Sequence, residues 1–192
     1  MKRKLENNEL DRLSVDDFKA SDKIPVVVVL DNIRSCHNIG SIFRTSDALL
    51  IKQILLCGFT ATPPDKEIRK TALGAENTVA WCHYPTTTEA IDMLRGEGYT
   101  LIAIEQVAGS TDLNHFAPAP GEKLALIFGN EVKGVQQEVV DQCDKAIELP
   151  QYGTKHSFNV SVTAGIVLWD IFHKIKEFQN IKRESYKINH QA

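Results

Sequence analysis

Residues 25–48 read PVVVVLDNIRSCHNIGSIFRTSDA. The run from Pro25 to Leu30 is continuously apolar with β-branched Val26–Val29 at its centre, the pattern of a strand covered on both faces. Beyond Asp31 the period changes. Ile39, Ile42, Phe43 and Leu50 recur near helical spacing with Asn38 placed to cap, so a strand, a polar loop and a helix are expected in that order.

The same alternation continues outward from this stretch. QILLCG (53–58), VAWCHY (79–84), TLIAIEQ (100–106), KLALIFG (123–129) and AIEL (146–149) read as further strands. ATPPDK (61–66) reads as a loop closed by two prolines, and TTEAIDMLRGEGY (87–99) as a helix begun by threonines and ended by glycine. A helix is expected over about 135–142 and a last one over roughly 158–178. Strands alternating with helices predict an α/β fold with a mainly parallel sheet flanked by helices. One domain over 23–178 is expected, with an arm or short helix over 1–22 and a tail over 179–192.

The composition bounds the function. The chain has 192 residues, 43% hydrophobic and 24% charged, the balance of a globular protein. No apolar run approaches the roughly 20 residues that span a bilayer, and the charged N-terminus lacks the apolar core of a secretory signal. Cys36, Cys57, Cys82 and Cys143 are scattered, with neither a C-x-x-C pair nor zinc-finger histidines, so no metal site is expected and a reducing cytoplasm is. A net charge of −3 argues against coating nucleic acid by charge alone, but leaves room for local basic patches. Lys2–Arg3–Lys4, the group Lys66, Arg69 and Lys70, and the tail Lys174, Lys176, Lys182, Arg183 and Lys187 are candidates; for any one of them a solvated helix face is the favoured reading.

Three loops that follow apolar strands carry the chemistry, and ligands of open parallel sheets bind at the strands' carboxyl ends. In the first loop, Arg44 is either a solvated helix arginine or a fork of donors for a phosphate or anionic oxygen. In LIFGNEVKGV (126–135), Gly129 leaves the strand terminus without a side chain, so a ligand could approach its backbone. Glu131 either leads a helix or points into a site. In LPQYGTKHSFNVS (149–161), Ser157 or Asn159 is expected to cap the last helix, yet one cap does not require so many small polar groups. That helix is apolar nearly all round and is expected to be buried, with Thr163, Ala164 and Gly165 allowing another backbone to pack closely.

Taken in order, the segments 31–48, 126–135 and 147–170 resemble the three motifs of the SpoU (TrmH-like) RNA 2′-O-ribose methyltransferases of the SPOUT superfamily. The resemblance spans about residues 25–175. It implies a C-terminal deep trefoil knot, S-adenosylmethionine bound in it, and a homodimer packed through the knot region. Matched by position, Gly129, Leu149 and Phe158 correspond to residues whose backbone cradles the cofactor, with Glu105 a further candidate. Asn38, Arg44, Glu131, Ser157 and Asn159 correspond to the polar catalytic set. Two departures stand out: Phe158 takes the place of a usual leucine, and GTKHSFN is more cationic than the usual loop.

The activity implied is methyl transfer to a ribose 2′-hydroxyl of tRNA or rRNA. The resemblance leaves open whether Arg44 serves the cofactor of its own subunit or of the other. A non-catalytic RNA-binding knot protein is the alternative, and the complete polar set counts against it. A dinucleotide-dependent dehydrogenase would need G-x-G-x-x-G after the first strand, which DNIRSCHNIG does not supply.

Overall fold

The computed structural model describes residues 2–6 and 9–179. Strand β1 (Ile24–Asp31) is buried almost throughout, and its alternate residues feed two different cores. Val26, Val28 and Leu30 face one layer, while Val27 and Val29 face the other. This is what a strand covered on both sides requires, and it explains the unbroken β-branched run.

The remaining strands are β2 (Ile51–Cys57), β3 (Trp81–Tyr84), β4 (Thr100–Ile104), β5 (Thr111–Asp112), β6 (Leu124–Phe128) and β7 (Lys145–Glu148). They form one sheet in the order β3-β2-β1-β6-β4-β7-β5, with every pairing parallel. On one face lie α1 (Val15–Ala20), α2 (Cys36–Ala48), α3 (Lys66–Ala72) and α6 (Val160–Gln179), represented in the core by Phe18, Phe43, Ile68 and Leu168. On the other lie α4 (Thr87–Gly96) and α5 (Gln137–Val140), through Ile91, Leu94 and Val139. All loops that follow strands therefore gather at one end of the sheet.

Several boundaries differ from expectation for identifiable reasons. Ser35, not Asn38, caps α2: its hydroxyl accepts the Asn38 N–H at 3.3 Å, which releases the Asn38 side chain for other work. Residues 66–72, beyond the proline loop, form a helix that the sequence reading did not assign; Asp65 caps it by accepting the Glu67 and Ile68 N–H groups. It packs so closely on α2 that a Cβ at Gly40 would collide with the Ile68 carbonyl and the Thr71 hydroxyl. The expected helix over 135–142 shortens because Gln136 is held non-helical, donating from its backbone and its side chain to Asp31. Strand β3 starts two residues late, since Val79 closes a turn onto Ala75.

The last helix is not wholly buried. Val162, Ile166 and Trp169, spaced i, i+4 and i+7, are 50%, 41% and 56% exposed. Gly165 faces open space rather than a neighbouring backbone within the chain. The expected tail lies outside the described residues apart from Gln179, as do Lys182, Arg183 and Lys187 of the basic patches.

Candidate active site

Two short segments at the carboxyl end of β6 and after β7 meet the β1–α2 loop. Just past β6, Asn130 and Gly134 exchange backbone hydrogen bonds of 3.0 and 2.8 Å, closing a tight loop around Glu131. The Asn130 side chain completes it. Its oxygen accepts the Val132 and Lys133 N–H groups, and its amide donates to the Asn32 carbonyl at 2.6 Å. A Cβ on Gly129 would collide with Val135 N and the Gly134 carbonyl carbon. The bare backbone at Gly129 is thus required by the chain's own returning loop at residues 134–135, and Gly129 also lines the cavity described below.

That loop delivers Glu131 to the start of α2. Its carboxylate accepts the backbone N–H groups of Arg34 at 2.9 Å and Ser35 at 3.0 Å, and the Asn38 amide at 2.9 Å. Burial alone would push the Glu131 carboxyl up, but these donors outweigh it and hold the group below the usual carboxylate range. Asn38 then accepts the Asn159 amide at 3.2 Å. Asn159 is the cap of α6, its side-chain oxygen accepting the Ser161 N–H at 2.9 Å and the Ser161 hydroxyl at 2.7 Å. The sequence left the cap open between Ser157 and Asn159; Asn159 takes it. Asn38, Glu131 and Asn159 therefore form one directional chain of hydrogen bonds drawn from all three loops.

Beside this chain lies a cavity of about 490 Å³. Gly129, Glu131, Leu149, Ser157, Phe158 and Asn159 line it, as does Glu105. The Glu105 carboxylate is partly committed, accepting the Val135 N–H at 2.9 Å and the Gln106 N–H at 3.0 Å. Apolar walls come from Ile104, Phe128, Ile147 and Leu149, which leaves a small-molecule pocket with backbone polar groups and carboxylates at its rim.

Arg44 is elsewhere. It sits six residues after Asn38, about 9 Å along α2 and about 120° around it. It lines a second cavity of about 530 Å³ with Arg12, Thr45, Gly165, Trp169 and Phe172. No residue lines both cavities. Within one chain, four of the five polar candidates converge and the arginine does not.

Sequence reasoning missed Asp31 and Asn130. Asp31, fully buried, accepts the Thr87 hydroxyl at 2.6 Å and both Gln136 donors, at 2.9 and 2.8 Å, tying α4 to the loop that carries Glu131. Its place at the end of a buried strand was the available signal. Burial pushes all four thiols up, Cys57 to about 12 and Cys143 to about 11, which disfavours the nucleophilic thiolate. Among the described residues no group of three or more His, Cys, Asp or Glu could hold a metal, and no helix is long and apolar enough to cross a membrane.

Residues 25–169 match the SpoU rRNA Methylase family. A Staphylococcus saprophyticus protein named putative TrmH family tRNA/rRNA methyltransferase is 29% identical over 156 residues, 81% of this chain and 61% of that one. The 23S rRNA (guanosine-2′-O-)-methyltransferase RlmB of Neisseria meningitidis serogroup B is 31% identical over 144 residues, 75% of this chain and 56% of that one. The chain thus spans about three fifths of the length of these relatives. Among solved structures, the AdoMet-bound rRNA methyltransferase from Sinorhizobium meliloti aligns with a TM-score of 0.72 at 26% identity, covering 80% of this chain and 58% of that one. The A. aeolicus TrmH/SpoU tRNA modifying enzyme shares the fold with a TM-score of 0.73 at 24% identity, covering 85% and 80%.

Proposed function

Because the chain belongs to the SpoU rRNA methylase family, we propose that it transfers a methyl group from S-adenosylmethionine to a ribose 2′-hydroxyl of tRNA or rRNA. The observation that carries this reading is the Glu131–Asn38–Asn159 chain at the rim of the 490 Å³ cavity. It joins the three motif loops in one place and leaves a pocket of small-molecule size beside them.

The residues present fit the cofactor. Gly129, Leu149 and Phe158 would hold it through backbone groups, and the walls formed by Ile104, Phe128 and Ile147 suit an aromatic base. Glu105 supports this cradle by fixing residues 134–135 and is not wholly free to bind. When bound, the cofactor supplies an electrophilic methyl on a sulfonium sulfur. The protein must align a weakly nucleophilic hydroxyl and ease the departure of its proton. Ser157 and Asn159 orient that hydroxyl, and Glu131 keeps Asn38 and Asn159 in register. Arg44 offers a guanidinium's fork of donors and no acceptor, so it grips the neighbouring phosphate and ribose oxygen while a phosphate oxygen or water takes the proton.

This division of labour needs a second copy of the chain. The exposed stripe Val162, Ile166 and Trp169 beside the Arg44 cavity supports a homodimer through α6, in which Arg44 completes the partner's site. The path of the chain supports the trefoil knot: β7 lies beyond β6 and β4 from β1, yet the following α6 returns to pack on the same face as α2. The Gln106 side chain, just past β4, holds the His156 carbonyl at 3.2 Å along that return. The domain then runs over 23–178, and the reaction belongs in the cytoplasm, where these RNAs are found.

The decisive experiment incubates purified protein with methyl-labelled S-adenosylmethionine and separate tRNA and rRNA pools from cells lacking it. Digestion to nucleosides should release a labelled 2′-O-methyl nucleoside from one pool. Cofactor binding without label in either pool would leave an RNA-binding protein and end the enzymatic reading.

A further inference from the structure

Outside the cavity, one of the exposed aromatic rings at the carboxyl edge of the sheet stands on an unusually well-fastened turn. Phe59 follows β2 and is 64% exposed. A single exposed apolar side chain is ordinary on a protein surface. The framework beneath this one is not. Gly58 adopts φ +63°, and a Cβ there would collide with the Asn32 side chain. The Gly58 N–H donates to the Tyr84 carbonyl at 3.0 Å, and its carbonyl lies 2.9 Å from His83 Nε2. The Phe59 N–H donates to Asn32 Oδ1 at 3.2 Å. Thr60 is buried, and its hydroxyl accepts the Ile33 N–H at 2.9 Å while lying 2.7 Å from the Cys57 carbonyl.

The same framework reaches the proposed active site. Asn32 holds Phe59 with its side chain and receives the Asn130 amide on its carbonyl. Asn130 in turn shapes the loop that carries Glu131. Two exposed cations flank this connection, Arg34 in the first loop and Lys133 in the second, neither with an ion-pair partner among the described residues. The Glu131 carboxylate, two residues before Lys133 and bonded to the Arg34 N–H, is occupied by three donors. An exposed aromatic ring on a fastened backbone, with cations on the neighbouring loops, meets what an unpaired nucleic-acid strand offers, a π-face on each base and a phosphate between bases.

We propose that Phe59 is a stacking platform for a nucleobase next to the nucleotide that is methylated, with Arg34 and Lys133 holding the flanking phosphates. This rests on the methyl-transfer reading above and adds the position at which the substrate strand is read. The recognised element is an unpaired base, in a loop or a splayed strand, because a base inside a duplex has no free face for the ring.

The test measures methyl transfer to the same two RNA pools, with cofactor affinity measured separately by calorimetry. Phe59→Ala should raise the KM for RNA about 10- to 100-fold, the range expected from losing one stacked base. The kcat at saturating RNA and the affinity for S-adenosylmethionine should stay at wild-type values. Phe59→Trp should retain a low KM, whereas Phe59→Leu, apolar but not planar, should resemble Phe59→Ala. A wild-type KM in Phe59→Ala, or in Phe59→Leu, overturns the stacking assignment and leaves the surface to another partner. Equal losses in cofactor affinity and RNA affinity overturn it in favour of a structural role. Wild-type protein that labels neither pool overturns the methyl-transfer reading, and this proposal with it.

Discussion

The Asn38 amide donates to the Glu131 carboxylate at 2.9 Å, across 93 positions of sequence. Because Asn38 also accepts from Asn159, its amide is locked in one orientation and the three loops share a single hydrogen-bond direction. Capping of α2 by Ser35 rather than Asn38 is what makes this possible.

Replacing Glu131 with Gln should weaken that junction without altering its size. One of the two oxygens becomes a donor facing donors, so either the Arg34 N–H, or the Ser35 N–H together with the Asn38 amide, loses its acceptor. A destabilisation of about 1–2 kcal/mol is expected, on the low side for a charged acceptor because Glu131 is solvent-exposed. Urea denaturation at neutral pH checks it.

The same pair fixes a pH dependence. The folded Glu131 carboxyl titrates below its ordinary 4.5, so between the two values the unfolded chain binds more protons. Its contribution is present in full above 4.5 and is lost as pH falls through the folded value. The stability gap between wild type and Glu131→Gln should therefore be constant near neutrality and close on acidification. A gap that widened toward acid would contradict the assigned hydrogen bonds.

Gly129→Ala should damage both fold and pocket. The added methyl meets backbone atoms of Gly134 and Val135, which cannot rotate away as a side chain could. A cost of about 1–3 kcal/mol is expected from such overpacking. Loss of S-adenosylmethionine affinity should accompany it, since residues 129 and 134 both line the cavity. Thermal melting and calorimetry read the two effects.

Arg44→Ala should reduce methyl transfer by at least about 100-fold, the scale of a positioned charge acting on a reacting oxygen. The S-adenosylmethionine Kd should hardly change, because Arg44 lies outside the 490 Å³ cavity. Arg44→Lys should also be strongly impaired, since a single ammonium cannot reproduce the guanidinium's paired donors.

Ile166→Glu places a charge in the middle of the exposed stripe on α6. The monomer has room for it, so its stability should change by less than about 0.5 kcal/mol. Sedimentation should show loss of the proposed dimer, and methyl transfer should disappear with it. A variant that stays dimeric would move the proposed interface off this helix.

How much of this was legible beforehand follows from the physics of each signal. The strand Ile24–Asp31 was readable because burial on both faces leaves an unbroken apolar run. The convergence of Asn38, Glu131 and Asn159 was readable because the three loops all follow parallel strands and so share one edge. Helix α3 was missed: it is short, follows two prolines, and has only Ile68 and Ala72 buried, too few to set a period. The exposed stripe on α6 was misjudged, since an apolar side chain has the same spacing whether its own chain or another covers it. Asp31 and Asn130 are common residue types at ordinary positions, and only coordinates reveal how many donors each gathers or supplies.

Arg44 and Asn159 border cavities that have no residue in common. The consequence is genetic. In the homodimer proposed above, two alleles that each abolish turnover alone, one lacking the arginine and one lacking the asparagine, would carry their defects in different halves of a shared reaction centre. Co-expressed, they would assemble hybrids in which one centre inherits both defects and the other inherits neither, so that two null mutants complement one another.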